Sequence, residues 1–477
     1  MDNHKLRTPG LTRQIGFFSA TIVVIANMVG TGVFTTSGFV ARDVAHPVPL
    51  LLCWLVGGIF ALCGALCYGE LGSRFPKAGG DYAYLKQAFG PMPAFLSGWV
   101  SLAVGFSAPI AASAIAFSAY LTKAFSLPSV TLFTFTLFGR DIVLVSTASF
   151  MAVLAVIVLS LVHMHSVRLG SRVQGVLTVF KLAVIAAFIV GGFLVGRGSL
   201  SHFSSEFRVT SLVGGGFATS LIFISFAYSG WNAAAYLGGE IRNPGRNIPL
   251  SLFAGTLTVI ISYLALNAVY IYALPIGEMR GVLEVGEKAA SALFGDGTGR
   301  LLTGAIAVGL LSALSAMILT GPRVYYAMSR DGAFFARFGR VHDRRQTPVL
   351  AIVLQATISI SMILTSSFEK LLLYIGFTLS LFSILTVIGL LRLKTTQKVA
   401  AGAYRTFGYP VTPLVFIAGN GIIVCLMLLE NPATVFWGLF TIGIGAVFYW
   451  RLRPRKSAAH PGAVAIRSPL NVPDGNT

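Results

Sequence analysis

Long apolar segments separated by short polar stretches dominate the chain. Each apolar segment holds roughly 18 or more residues with few charges, which is the length that crosses a bilayer as an α-helix. We therefore predict twelve transmembrane helices. Their approximate ranges are 15–39, 47–72, 90–122, 142–162, 173–196, 212–238, 248–274, 298–327, 349–366, 370–391, 410–430 and 433–450.

This pattern predicts one membrane domain over 15–451 with a polar segment at each end. Residues 1–14 form a short tail, and residues 452–477 are rich in Pro, Ala and Arg, which is typical of a disordered tail. The first apolar segment is too long for the core of a signal peptide, so we expect no cleavable leader.

Two of the predicted helices are interrupted near their middle. Gly30 and Gly32 flank Thr31 in the first, and Ser229 with Gly230 interrupts the sixth. Glycine loses the most backbone entropy in a helix and tolerates non-helical φ/ψ angles. Peptide groups freed by a break are tolerated in a bilayer only where they face protein or a wet cavity. Matched breaks in corresponding helices of two halves indicate a midplane site in an inverted-repeat transporter.

Composition and charge agree with a polytopic membrane protein. The 477 residues are 55% hydrophobic and 11% charged, with a formal net charge of +19. Of the 35 Lys and Arg residues, 25 fall on the side of the N-terminus and nine on the opposite side. This bias places both termini in the cytoplasm of a cell whose inner membrane holds the protein. Because the basic charge is accounted for by topology, no nucleic-acid partner is expected.

The sequence lacks the residue clusters of an enzyme or a metal site. No HExxH, GxSxG or grouped His and Asp occur within the spans, so we expect neither an enzyme nor a cofactor. The cysteines form no CxxC pair and are predicted to be small buried residues. They are Cys53, Cys63, Cys67 and Cys425. A channel is not favoured, because no charged ring is repeated.

Lys181 is flanked by apolar residues about two turns into the fifth predicted helix. An ionisable side chain within a bilayer is a functional candidate by default. The alternative is that Lys181 extends to the inner interface.

We expect His163 and His165 to be solvated at a helix end. Glu70 with Arg74 is expected to form either a solvated ion pair or part of an inner gate.

Five motifs occur in an order known from one transporter family. They are Gly30-Thr-Gly-Val-Phe34; Gly69-Glu-Leu-Gly72 with Pro76-Lys-Ala-Gly-Gly80; Phe226-Ala-Tyr-Ser-Gly-Trp-Asn232 with Gly239-Glu-Ile-Arg-Asn-Pro244; the segment 323–332; and the segment 404–410. Together they resemble the amino acid–polyamine–organocation (APC) superfamily, nearest to its L-amino-acid-transporter branch and the bacterial relatives of that branch.

The resemblance implies an all-α membrane protein with the LeuT fold. Five helices at 15–196 would be repeated in inverted topology at 212–391, and two more helices would follow at 410–450. The family also implies sodium-independent, secondary active transport of a free α-amino acid by alternating access around unwound helices 1 and 6. Both exchange and proton symport remain open.

The resemblance places the substrate carboxylate at the first break. The backbone N–H groups of Thr31 and Gly32, beside Gly30, would hold it, which fits the positive end of a helix dipole. The carbonyl groups of Met28 and Ala227, together with that of Phe226, would accept from the α-amino group.

The rest of the implied site surrounds the substrate side chain. Phe226 would also cap the site as an outer gate. The side chain would lie against Ser229 and Gly230, with Asn232 as a polar contact. Several relatives have glycine at the position of Ser229, which leaves the identity of the substrate open.

Lys181 matches a lysine that replaces the sodium ion of related symporters. Its ammonium would tie helix 5 to the break in helix 1, and Ser312 or Ser315 would border it. A fixed charge there suits exchange, whereas a titrating lysine suits symport with protons.

Two features bear on partners and substrate. Mammalian members join a single-span heavy chain through a cysteine between helices 3 and 4, and residues 123–141 contain none, so no disulfide-linked partner is expected.

No acid falls mid-span in helices 1, 3, 6 or 8, and a cationic substrate would favour one. We therefore predict a neutral L-amino acid. The alternative is a cationic amino acid, agmatine or a polyamine bound by aromatic rings.

Overall fold

The computed structural model describes residues 12–128, 130–137, 140–204, 215–342, 345–366, 368–397 and 403–452. The expectations for residues 1–11 and 453–477 of the two tails lie outside this part of the chain.

Helix α1 and helix α2 divide the first predicted span at the glycine motif. α1 covers Phe17–Met28, α2 covers Gly32–Val44, and their axes are bent by 41°. The N–H of Gly30 donates to the Met28 carbonyl at 2.8 Å. This bond joins residues i and i−2, whereas the bonds of an α-helix join residues i and i−4. The break therefore falls where the glycines predicted it.

The remaining helices of the first half follow in chain order. They are α3 (Pro47–Arg74), α4 (Asp81–Phe89), α5 (Pro91–Val100), α6 (Ser107–Ala124), α7 (Thr147–His165) and α8 (Val167–Leu194), with a π-helical turn at Ser101–Phe106 joining α5 to α6 and a 3₁₀ turn at Leu200–Phe203.

The second half begins with the other broken span. Its helices are α9 (Gly215–Ala227), α10 (Ala233–Tyr236), α11 (Pro244–Ala273), α12 (Ile276–Met279), α13 (Val285–Phe294), α14 (Asp296–Thr320), α15 (Pro322–Arg330), α16 (Val349–Thr365), α17 (Phe368–Thr396), α18 (Val411–Glu430) and α19 (Pro432–Leu452), with a 3₁₀ turn at Ala336–Gly339.

Within the described ranges, nine helical segments are long and apolar enough to cross a membrane. The bent pair α1 and α2 makes a tenth if it is one span, and two further apolar helices, α9 and α16, are shorter. The chain is therefore a multi-pass, mostly helical membrane protein.

A β-hairpin replaces the loop expected at 123–141. Strands β1 (Thr131–Leu137) and β2 (Arg140–Ser146) pair antiparallel, with Thr131 opposite Ser146. The alternation of Thr with Leu and Phe in β1 suits a strand, because such residues pack on a pleated surface. The span predicted to begin at 142 starts instead at Thr147, and the loop expected before it is corrected to a hairpin.

The second break lies between two hydrophobic clusters of the core. Phe226 belongs to a cluster that includes residues of α5, α6 and α14, whereas its neighbour Ala227 belongs to a cluster that includes residues of α1, α3 and α11. The peptide bond between Phe226 and Ala227, at the end of α9, therefore joins these two clusters. The last two residues before the break are both closely packed as a result.

Candidate functional site

The two breaks contact each other. Residues 228–232 form non-helical turns between α9 and α10, and Gly230 has a φ of +92°. A Cβ atom at Gly32 would lie 2.5 Å from the Cα of Ala227, and one at Gly230 would lie 2.9 Å from the backbone of Asn27. Only glycine fits at either position, because any Cβ atom would overlap backbone atoms of the facing segment.

The first break leaves hydrogen-bond donors without partners. In the described part of the chain, no acceptor is bonded to the N–H groups of Thr31 and Gly32. The buried hydroxyl of Thr31 also has no partner there. These donors stand at the N-terminus of α2, where the helix dipole is positive. The arrangement suits a carboxylate.

The carbonyl groups predicted to accept an α-amino group already have partners. The Tyr263 hydroxyl of α11 lies 2.7 Å from the Met28 oxygen and 3.0 Å from the Ala227 oxygen. The Phe226 oxygen accepts from the Ser229 N–H at 2.9 Å. Each carbonyl oxygen has a second lone pair, so these contacts leave capacity for another donor. No sequence pattern singled out Tyr263, which is one tyrosine within an apolar helix.

A cavity of about 70 Å³ adjoins the second break. Phe226, Ser229, Gly230 and Asn232 line it, as expected for contacts with a substrate side chain. Asn27, which was not predicted, lines it too. Every residue of the lining is uncharged.

The remaining predicted substrate residues do not line this cavity. They are Met28, Gly30, Thr31, Gly32 and Ala227. Of these, Gly32 is packed against Ala227. In this conformation Ala227 fills the space beside Gly32. A ligand could therefore approach the first break more closely only if these two residues moved apart.

Lys181 is buried and faces the end of α1. Its ammonium donates to the carbonyl oxygens of Ala26, at 3.3 Å, and Val29. Only 2% of the residue is exposed, so it does not extend to the interface. It lies about four turns into α8, deeper than predicted, because that helix begins at Val167.

The two candidate serines of α14 bind other groups. Ser312 Oγ lies 2.9 Å from Thr178 Oγ1, and Ser315 Oγ lies 2.8 Å from His163 Nε2. Neither is hydrogen-bonded to Lys181 within the described ranges. Gly309, one turn earlier, instead faces the Lys181 side chain, because a Cβ there would lie 3.3 Å from Cγ.

His163 is not the solvated residue that its place at a helix end suggested. It is 2% exposed, and its Nδ1 has no hydrogen-bond partner in the described part. The imidazole is closely packed against α8, because a Cβ at Gly170 would lie 2.4 Å from Nδ1. A helix end near the interface is therefore compatible with full burial where another helix covers it.

Asp81, at the start of α4, lies behind the cavity wall. Its carboxylate accepts from the hydroxyl of Tyr236 at 2.5 Å, from that of Thr386 at 3.1 Å and from Tyr68. Burial raises the pKa of the Asp81 carboxyl, while the hydrogen bonds from Tyr236, Tyr68 and Thr386 oppose that shift by stabilising the charged form. Asp81 directly follows the motif Pro76–Gly80, but no sequence pattern indicated a role for it.

Buried ion pairs join segments on the side predicted to be cytoplasmic. Arg323 Nε lies 2.9 Å from Glu240 Oε1, and the Glu240 carbonyl accepts from the N–H groups of Gln14 and Ile15 at 2.9 Å. The first residues of the membrane domain are thereby connected to the loop after α10 and to α15.

Glu70 forms a second such pair. Its carboxylate lies 2.9 Å from Lys394 Nζ and 3.6 Å from Arg74, and it accepts from the N–H of Thr406 at 2.7 Å. The solvated pair considered from the sequence is therefore wrong, since Glu70 is fully buried.

The apolar helical segments define a multi-pass membrane protein, in which two broken helices contact each other beside an uncharged cavity. The sequence profile of the amino acid permease family matches residues 15–464. The chain belongs to this family, and the resemblance seen in its motifs is confirmed.

Curated relatives cover nearly the whole chain. The mouse b(0,+)-type amino acid transporter 1 is 29% identical over 463 residues, which is 94% of this chain and 89% of the relative. The serine/threonine exchanger SteT of Bacillus subtilis (strain 168) is 29% identical over 457 residues, covering 94% and 99%. The mouse large neutral amino acids transporter small subunit 2 is 27% identical over 461 residues, covering 93% and 83%.

Proposed function

We propose that this permease is a sodium-independent, secondary active transporter of neutral L-amino acids. The observation that carries the proposal is the contact between the two helix breaks, with unpaired N–H donors at Thr31 and Gly32 and backbone carbonyl groups at Met28 and Ala227. The N–H groups suit a carboxylate, and the carbonyl groups suit an ammonium group. A free amino acid carries both charges on neighbouring atoms.

The uncharged cavity supports a neutral side chain. A cationic side chain transferred into a site of low dielectric favours a carboxylate partner, and the lining contains none. The name of the Bacillus subtilis relative, a serine/threonine exchanger, agrees with a small neutral substrate.

The architecture that goes with this function is the LeuT fold. We propose twelve spans, with the first repeat at 15–196, its inverted copy at 212–391 and two additional helices at 410–450. Both termini would face the cytoplasm from the inner membrane of a bacterial cell. Alternating access would then move the two repeats around the paired breaks.

Lys181 would supply the fixed positive charge of a sodium-independent mechanism. Its bonds to the Ala26 and Val29 carbonyls hold the end of α1 against α8. Substrate entry and release require that end to move, so the lysine would couple movement of α1 to the transport cycle. Whether a proton travels with the substrate is decided by whether this ammonium titrates during the cycle.

Uptake into proteoliposomes tests the proposal. Purified protein would be assayed with a panel of radiolabelled L-amino acids, with and without internal amino acid and with and without a pH gradient. We expect sodium-independent uptake of neutral amino acids, stimulated by one of these two conditions. Absence of uptake of every amino acid by correctly folded protein would refute it.

Transport of cationic amino acids, agmatine or polyamines is the second candidate. Aromatic residues in the cavity lining favour it, because an aromatic face attracts a cation. The rings belong to Phe106, Phe226, Trp231, Tyr236 and Phe416. Competition by excess L-arginine decides between the two: we expect little inhibition of neutral uptake, and strong inhibition would favour the cationic substrate.

A further inference from the structure

Asp81 contacts the cavity wall from behind without lining the cavity. Two of its partners, Tyr236 and Asn232, do line the cavity. The other two, Tyr68 of α3 and Thr386 of α17, hold the carboxylate from the opposite side. No ion pair of the described residues includes Asp81, so its charge is stabilised by neutral donors alone.

The donors around Asp81 determine how the Asn232 amide is turned. The Tyr236 hydroxyl gives its one proton to Asp81 Oδ2, so its oxygen is left as an acceptor. Asn232 Nδ2 lies 3.2 Å from that oxygen and 3.5 Å from Asp81 Oδ2. Turning the amide over would place Asn232 Oδ1 against two other acceptors. The NH₂ group therefore faces Asp81, which leaves the carbonyl oxygen of the amide for the cavity.

We propose that Asp81 is a positioning residue that makes the cavity present a hydrogen-bond acceptor, so that the preferred substrates are neutral amino acids whose short side chains end in a hydroxyl or amide donor. The inference rests on the proposed function and names its substrate class. An apolar side chain over Asn232 Oδ1 would leave that acceptor without water or a partner, whereas a donor would satisfy it.

The serine hydroxyl groups of the cavity cannot make this distinction. Ser229, Ser380 and Ser383 line the cavity, but a hydroxyl both donates and accepts and rotates to suit its neighbour. A side-chain amide held by Tyr236 and Asp81 cannot rotate without breaking both contacts. The Asn232 oxygen is therefore a fixed acceptor of the wall that distinguishes a donor from a methyl group, and it is the one that Asp81 and Tyr236 orient.

L-Threonine and L-valine test the inference, because the two side chains have nearly the same shape and differ by a hydroxyl. The measurement is the ratio of kcat/KM for threonine to that for valine in proteoliposome uptake. We expect the wild type to favour threonine by about tenfold, the effect of one hydrogen bond. In Asp81→Asn the ratio should fall towards one, through a higher KM for threonine with valine uptake retained.

Asp331→Asn is the matched control. Asp331 also accepts from a tyrosine, Tyr82 at 2.9 Å, and lies 2.7 Å from Lys86 Nζ, but it has no contact with the cavity lining. Its threonine-to-valine ratio should equal that of the wild type.

Tyr236→Phe provides the same test without changing a charge. The ring would keep its packing against Phe106, with centroids 5.2 Å apart, while the hydroxyl that orients Asn232 is removed. We expect the same loss of threonine preference. If both variants keep the wild-type ratio, or if both lower threonine and valine uptake equally, Asp81 is structural only and the inference is wrong. If the wild type transports neither of these but takes up another neutral amino acid of the panel, the inference is wrong while the proposed function stands. Uptake of no amino acid at all would refute both.

Discussion

The buried ammonium of Lys181 donates two hydrogen bonds to the end of α1. The carbonyl groups of Ala26 and Val29 lie at the last turn of the helix, where the backbone has lost its own N–H partners. A buried cation is stabilised there by the negative end of the helix dipole as well.

Lys181→Ala should reduce uptake by about tenfold or more, because buried acceptors left unpaired cost about 1–3 kcal/mol. The measurement is initial uptake in proteoliposomes with and without internal amino acid. Lys288→Ala is the control, since that lysine is exposed and pairs with Glu278. Unchanged and fully coupled flux in Lys181→Ala would show that the lysine has no role in transport.

The hydroxyl of Tyr263 joins the two breaks by contacting one carbonyl oxygen of each. Tyr263→Phe removes the hydroxyl shared by Met28 and Ala227 but keeps the ring, which packs against Trp54 at 5.2 Å. Because the carbonyl groups lose their common donor, we expect KM to rise about fivefold, with a smaller change in kcat.

Tyr325→Phe serves as the control for Tyr263→Phe. Tyr325 is also fully buried and donates to a backbone carbonyl, that of Ser101 at 3.4 Å. An equal rise of KM in both variants would mean that the effect comes from loss of packing or stability, and not from the breaks.

At the scale of elements, α1 and α9 end where each meets the other's backbone. Gly32→Ala, at the first residue of α2, would place a methyl group 2.5 Å from the Ala227 Cα, so α2 and α9 must separate. We expect a large loss of transport, with a lower thermal midpoint from overpacking of about 1–3 kcal/mol.

Gly443→Ala is the matched control, because nothing lies within 4 Å of a Cβ built there in α19. Its transport should equal that of the wild type. Wild-type transport in Gly32→Ala would contradict the close approach of the breaks.

For the whole molecule, the buried pair of Glu240 and Arg323 joins the N-terminal residues to the second half. Glu240→Gln should lower the stability of the detergent-solubilised protein by about 3–5 kcal/mol, because it leaves a buried guanidinium without its counter-charge. Thermal unfolding followed by tryptophan fluorescence measures this change.

Glu278→Gln removes a partly exposed partner of Lys288 and should have an effect of about 0–1 kcal/mol. A midpoint for Glu240→Gln that is as high as that of Glu278→Gln would show that the buried pair contributes nothing net.

Hydropathy and glycine placement in the sequence determined the membrane class, the helix breaks near residues 30 and 230, and the family. These features are local, because span length, backbone freedom and motif order are properties of adjacent residues. The sequence could also single out Lys181, since a charge within an apolar run is visible without a fold.

The partners of these residues were decided by the tertiary structure. Tyr263, Asp81 and Gly309 make their contacts with helices that are distant in sequence. Ser312 and Ser315 were predicted beside Lys181 but are hydrogen-bonded to Thr178 and His163. The direction of a side chain on a membrane helix depends on rotation about the helix axis. That rotation is set by packing against neighbouring helices, and an apolar sequence with polar residues on several faces does not specify it.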